Sequence, residues 1–227
     1  MDTISLPKLN HLTPTFSSTL LKAVEEAGEL ARAVLHFLPY GRAEEVGQIS
    51  AIPSKAVDLT AAQRTLRSVA EELLDVAQVC VTMLFVMEDE YHLTIDRMID
   101  RHLAKLMAKG YCFDQGQTYE IATCGSFKTL RLPRLYLDEV TLLTTVCKIQ
   151  EELGEMTQYL GKMTGASGET VQLDFAAALD GCAEELLDVA QCCFTMMYIL
   201  ADRYQVDIAA LVAEHVEKLE KRGYFTR

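Results

Sequence analysis

The nonapeptide AEELLDVAQ occurs twice, at 70–78 and at 183–191, and each copy runs into a similar apolar stretch. Laid 113 apart, residues 70–93 and 183–206 agree at 14 of 24 positions, and the frame goes on to pair His102, Lys105, Gly110 and Tyr111 with His215, Lys218, Gly223 and Tyr224. Upstream the offset becomes 126: Leu6-Pro7-Lys8-Leu9 pairs with Leu132-Pro133-Arg134-Leu135, and Lys22, Glu25, Glu26 and Glu29 pair with Lys148, Glu151, Glu152 and Glu155. The chain reads as a tandem duplication whose first copy carries about thirteen extra residues between its two acidic motifs. Such a period is too long for a solenoid repeat, so each copy is expected to be a small unit of roughly 95–115 residues. The expected boundaries are 1–113 for the first unit, 114–130 for a linker and 131–227 for the second. Units of this size bury only a modest core alone, so the two copies are expected to pack on each other as an intramolecular pseudo-dimer.

Helical periodicity runs through both copies. Leu20, Val24, Ala27, Ala31 and Val34 repeat at the spacing of one helix stripe, with Ser17, Ser18 or Thr19 as N-cap; Leu142, Val146, Ile149, Leu153, Met156 and Leu160 do the same in the second copy. A second helix is expected to start near Ala70 and Ala183, and a third to cover about 94–109 and 207–222, stopped by Gly110 and Gly223. Gly41–Lys55 reads as a loop, followed by a short helix around Thr60–Ser68. Gly161–Gly168 reads as its shorter counterpart, and a hairpin through Tyr119–Thr123 and Phe127–Arg131 is expected in the linker. The fold class is all-α, two helical units forming a pseudo-two-fold four-helix-type bundle.

The seven cysteines include no CxxC pair, and Cys80, Cys192 and Cys193 lie in apolar helical stretches. This suits core thiols in a reducing compartment rather than a disulfide framework. No basic segment followed by an apolar run opens the chain, and the longest apolar stretches fall well short of a membrane span, so a cytoplasmic protein without membrane contact is expected. The formal charge of −12 argues against binding a nucleic-acid polymer. It is compatible with a small phosphorylated ligand when a divalent cation lies between the two negative partners.

The second helix of each copy is apolar almost all round from Val76 onward, the pattern of a buried helix. Yet Glu72 points between Val79 and Met83, Asp75 lies near Thr82 and Val86, and Glu185 and Asp188 share that setting. A buried carboxylate without a partner costs several kcal/mol, so each needs a cation, a donor or a proton. Glu26 and Glu29 share a face of the first helix, as do Glu152 and Glu155. Two antiparallel helices presenting ExxE and ExxD bring four carboxylates to one point, an oxygen-ligand site suited to Mg²⁺ or Mn²⁺. A lone EExxE is more often a solvated helix face. The pairing of both motifs in both copies, one of them on a helix without a polar face, favours a site.

EEAGE (25–29) with EELLD (71–75), and EELGE (151–155) with EELLD (184–188), resemble the signature of the MazG-like all-α nucleoside triphosphate pyrophosphohydrolases. The resemblance covers nearly the whole chain, once per copy. It implies a metal site that cleaves a nucleoside triphosphate between the α and β phosphates, giving a monophosphate and pyrophosphate. The metal ligands it implies are Glu26, Glu29, Glu72 and Asp75, then Glu152, Glu155, Glu185 and Asp188. Glu25 and Glu151 match the first Glu of the motif and stand as candidate bases for the attacking water. Lys105, Lys109, Lys218 and Arg222, on the basic cluster after the third helix, would meet phosphates. Many relatives carry an Asn where this chain has Lys109 and Arg222, and the 42 residues between Glu29 and Glu72 exceed the 29 between Glu155 and Glu185. That spacing, with the Lys221-Arg222 pair, singles out copy two as the expected main site. Family members of this size pack helices of two chains about a two-fold axis, so a homodimer of the whole chain is a further expectation.

Two other functions compete with this reading. A di-iron bundle would need a His three residues after Glu72 or Glu185, where Asp75 and Asp188 stand. A non-catalytic nucleotide-binding or regulatory helical module is the alternative function. His102 and His215 read as interhelix hydrogen-bonding or surface residues rather than ligands, Tyr111 and Tyr224 as core-edge residues, and Met83, Met87, Met196 and Met197 as core filler.

Overall fold

The computed structural model describes residues 4–41, 60–116, 118–125, 127–137, 139–166, 168 and 172–226. Among them are six α-helices: α1 (Phe16–Phe37), α2 (Ala61–Tyr91), α3 (Ile95–Ala108), α4 (Leu142–Thr164), α5 (Phe175–Tyr204) and α6 (Ile208–Lys221). A 3₁₀ turn, Leu38–Tyr40, follows α1. The chain is mainly helical, but two small antiparallel sheets qualify the all-α expectation. Strands β1 (Leu6–Pro7), β4 (Phe127–Arg131) and β3 (Glu120–Cys124) form one, in the order β1-β4-β3; β2 (Cys112–Phe113) pairs with β5 (Leu135–Tyr136) in the other. The expected linker hairpin is thus present as β3 and β4, with Cys124 opposite Phe127.

Helix starts are set by capping chemistry one turn earlier than the stripe suggested. Thr15, not Ser17, Ser18 or Thr19, caps α1: its side chain accepts from the Ser18 amide while the Ser18 side chain accepts from the Thr15 amide. Thr141 and Thr144 form the same box on α4. The expected α1 stripe is also rotated, since Ala23, Ala27, Leu30, Val34 and Phe37 are buried while Val24 is exposed. The separate short helix at Thr60–Ser68 does not exist; Thr60 caps α2, which runs unbroken through Ala70. Likewise α5 begins at Phe175, capped by Asp174, rather than near Ala183. Gly161 lies within α4, and Gly165, at φ 72°, ends that helix. Most of the expected loop Gly41–Lys55 falls at 42–59, outside the described residues. Gly110 and Gly223 do stop α3 and α6, at φ 86° and 74°, in the left-handed region that glycine enters without a Cβ penalty.

Helix α1 packs on α2, α4 on α5, α2 on α5 and α1 on α4. Buried side chains from both halves of the chain form one continuous core, with Leu73, Val76, Cys80, Met83, Leu186, Val189, Cys193 and Met196 in it. All seven cysteines are reduced thiols. The third helices cross over: α3 also packs on α5 of the second half, and α6 on α2 of the first. The Leu-Pro segments tie into this frame through two buried glutamines. Gln78 Nε2 donates to the Pro7 carbonyl at 2.7 Å and Gln191 Nε2 to the Pro133 carbonyl at 2.9 Å.

Candidate active site: two carboxylate clusters

Glu26 and Glu29 on α1 meet Glu72 on α2, with one oxygen of each lying within 4.8 Å of the others; Glu152 and Glu155 on α4 meet Glu185 on α5 in the same way. The ExxE spacing puts two carboxylates on one helix face, and the neighbouring long helix delivers the third. Three such groups cannot all ionise at that separation without a compensating charge. Burial, then the charges of Glu29, Asp75 and Glu26, pushes Glu72 up to about 7; burial, then the closeness of Glu152, pushes Glu185 higher still. Glu185 Oε2 is buried and has no hydrogen-bond partner among the described residues. Three converging carboxylates, with an orphaned carboxylate oxygen at the second cluster, suit a hard divalent cation such as Mg²⁺ or Mn²⁺.

The fourth expected carboxylate of each set takes different partners. Asp75 faces Lys218 Nζ at 3.2 Å and His215 Nδ1 at 3.5 Å. Asp188 faces Lys105 Nζ at 2.5 Å and His102 Nδ1 at 3.1 Å. Burial raises Asp188, but the bonds from His102 and Lys105 outweigh it and leave the group below its ordinary value. Both sets of partners come from the opposite half of the chain. Lys218 and His215 on α6 serve the first half's aspartate, and Lys105 and His102 on α3 serve the second's. The expectation that the end of copy two equips copy two is therefore corrected: its basic residues sit beside the copy-one carboxylates. His102 and His215 are buried between helices, which keeps the interhelix half of the expectation and removes the surface half.

A cleft adjoins each cluster. The first, about 520 Å³, is lined by Lys22, Glu26, Asp75, Lys218, Arg222 and Tyr224; the second, about 310 Å³, by Lys148, Glu152, Asp188, Lys109, Tyr111 and Gln191. Lys109 and Arg222 thus line the clefts as C-caps of α3 and α6. Glu25 and Glu151 are exposed at the cluster edges. Lys22 binds both Glu25 (3.1 Å) and Glu26 (2.6 Å), and Lys148 binds Glu151 (2.9 Å) and Glu152 (2.6 Å). These two lysines were missed as site residues, although their signal was available: a Lys four residues before the buried Glu, in both copies.

Residues 14–110 match the family model described as the MazG nucleotide pyrophosphohydrolase domain. The matched region is MazG-like; it holds the first carboxylate cluster and ends where Gly110 stops α3. No curated protein and no solved structure matches the chain.

Proposed function

We propose that the chain is a metal-dependent nucleoside triphosphate pyrophosphohydrolase, cleaving between the α and β phosphates to a nucleoside monophosphate and pyrophosphate. The observation that carries this reading is the convergence of three carboxylates from two helices, in each half, beside a cleft that also holds lysines. The family match supports it for the first half. The matching contacts of both halves support a tandem pair of MazG-type units, 1–113 and 131–227, packed as a pseudo-two-fold bundle. No helix among the described residues is long and apolar enough to cross a membrane, in keeping with action on a dissolved cytoplasmic nucleotide pool.

In this reading Glu26, Glu29 and Glu72, and Glu152, Glu155 and Glu185, would hold Mg²⁺, with Asp75 and Asp188, each paired to a lysine of the other half, as the fourth carboxylate beside each set. The ion, when bound, supplies charge neutralisation at the phosphate oxygens and activates water. The protein's own residues do the rest. Lys218 and Lys105 hold each aspartate in place from across the seam, and with Arg222 and Lys109 they counter the charge of the leaving pyrophosphate. Glu25 and Glu151, exposed beside their clusters, take the proton from the attacking water. The apolar walls and Tyr224 or Tyr111 leave room for the nucleoside.

The test is pyrophosphate release from a panel of nucleoside triphosphates with Mg²⁺, run beside E72Q/E185Q. Release that needs Mg²⁺ and is lost in the double variant supports the proposal. Nucleotide binding without release would favour the regulatory module.

A further inference from the structure

Arginine–acid pairs join each third helix to the long helix of the other half, one pair at the first seam and two at the second, and their polarity is reversed between the seams. At the α2–α6 seam, Arg67 on the long helix binds Glu214 on the third helix at 2.5 Å and its own helix's Glu71 at 2.9 Å. At the α5–α3 seam the long helix carries the acids: Arg101 on the third helix binds Asp180 at 3.1 Å, and also Glu184. By the offset of 113, Arg67 corresponds to Asp180, Glu71 to Glu184 and Glu214 to Arg101. Each seam therefore keeps one arginine between two acids, while the arginine changes helix.

Pairs within one half show no such reversal. Lys8 binds Asp89, and at the corresponding places Arg134 binds Asp202, base and acid unchanged. The site pairs Lys218–Asp75 and Lys105–Asp188 also keep their polarity, as a shared chemical task requires. Among the described pairs, reversal falls at a contact between halves that borders the carboxylate clusters without belonging to them; at the first seam Arg67 and Glu214 line a pocket shared with Glu72 and Asp75. Had the first half met a copy of itself, Arg101 would face Arg67 and compete with it for Glu71; had the second half done so, Glu214 would face Asp180 and Glu184 with no arginine between them. An exposed ion pair adds little stability, but like charges forced together in a seam discriminate strongly between partners.

We propose that these reversed pairs make the halves an obligate unlike pair: the third helix of each half fits the long helix of the other and rejects its own. The surface fits one kind of partner, the opposite half, within one chain or from a second copy. This rests on reading the halves as equivalent units, and it makes each carboxylate cluster depend on Lys and His from the unlike half.

The experiment uses the full chain, with melting as readout, so its outcome does not depend on whether the protein hydrolyses nucleotides. Glu214→Arg and Arg101→Glu recreate in place the contacts that like-half pairing would produce. Each is expected to lower Tm by ~4 °C or more at low salt, and by less in 1 M NaCl. Arg67→Glu alone gathers three acids and should lower Tm similarly, whereas Arg67→Glu with Glu214→Arg gives the second seam's polarity and should recover most of the loss. Single variants that melt like the parent would overturn the proposal. So would a double variant whose loss equals the sum of its two single losses.

Discussion

The two carboxylate clusters share a motif and differ in how their surroundings hold it. At the first, His215 Nε2 lies 3.3 Å from Gln78 Oε1, an amide oxygen and hence an acceptor, while the Gln78 amide nitrogen donates to Pro7 and Thr82. His215 Nε2–H therefore donates, and burial first, then nearby Lys218 and Arg222, holds its pKa down to about 4 against the raising effect of Asp75. A neutral ring then turns its lone pair toward Asp75, leaving Lys218 to balance that carboxylate. At the second, His102 Nε2 and Gln191 Oε1 find no hydrogen-bond partner among the described residues, while His102 Nδ1 approaches Asp188 more closely. Arg32 lies 3.3 Å from Glu29 and its charge relieves Glu72; the corresponding residue in the second half is Gln158, and Glu185 titrates higher. The two halves share the carboxylate geometry and differ in electrostatic background, so they should bind a cation and titrate differently.

The sharpest way to break this comparison is to disable one half at a time. In E72Q/E185Q, pyrophosphate release should fall by on the order of 100-fold or more, since even supporting partners of metal ligands cost 10–100-fold when lost. E72Q and E185Q alone should each leave the other half's share, and unequal remainders measure the divergence directly. Full activity in the double variant would remove these residues from the site.

Cation binding comes next in size. Saturating Mg²⁺ at about 100 times its Kd should raise Tm by ~5–10 °C, as expected for a ligand that binds only the folded state. E185Q should remove more of this gain than E72Q, because Glu185 is more buried than Glu72 and its cluster lacks an equivalent of Arg32. An unchanged melt in millimolar Mg²⁺ would count against a metal site in either half.

A smaller effect should single out the second half. The Tyr159 ring lies against Gly181, where an added Cβ would come within 2.4 Å of the ring. The first half has Ala33 and Ser68 at these places. Gly181→Ala should displace the ring beside Glu155 and Glu185, lowering Tm by ~2–6 °C through overpacking. Activity should change in the E72Q background and not in the E185Q background. If both backgrounds respond equally, the ring is only a packing element of the shared bundle.

The repeat made much of this legible. The hairpin, the third helices and their glycine stops follow from local residues, and the acidic spacing pointed to three of the four carboxylates that each cluster was expected to gather. Helix starts were misjudged because a capping box reads a Thr-x-x-Ser or Thr-x-x-Thr side-chain exchange, whereas apolar periodicity reports only where burial begins. The α1 stripe was set off by Val24, an apolar residue left on the surface. The exchange of Lys218 and Lys105 between halves was hidden for a different reason. Sequence proximity assigns a basic residue to its own repeat, but α3 and α6 are joined to their own long helices by short turns and pack across onto the other half's. Only long-range packing fixes which acid a lysine meets. The histidines looked ordinary because an imidazole's role depends on what lies opposite, and here that is an aspartate about ninety to 140 residues away.

The smallest expected effect tests the electrostatic contrast by pH. In the metal-free protein, Glu72 keeps its proton up to about 7 while the unfolded group loses it near 4.5, and Glu185 keeps its proton longer. The folded state then binds more protons than the unfolded chain, so this contribution to stability is full below 4.5 and is lost as pH rises through the folded values. His215 has the opposite sign: it is held neutral down to about 4 against 6.5 unfolded, so it favours folding increasingly as pH rises from 4 to 6.5. The two trends oppose each other in acid, and above pH 6.5 only the carboxylates still titrate. Between pH 6.5 and 8 the Tm should fall by ~2 °C, and saturating Mg²⁺ should abolish the slope because it favours the ionised carboxylates. Because Glu185 titrates higher than Glu72, E185Q should flatten this slope more than E72Q does. A slope that E72Q alone removes would assign the higher-titrating carboxylate to the first half and reverse the comparison.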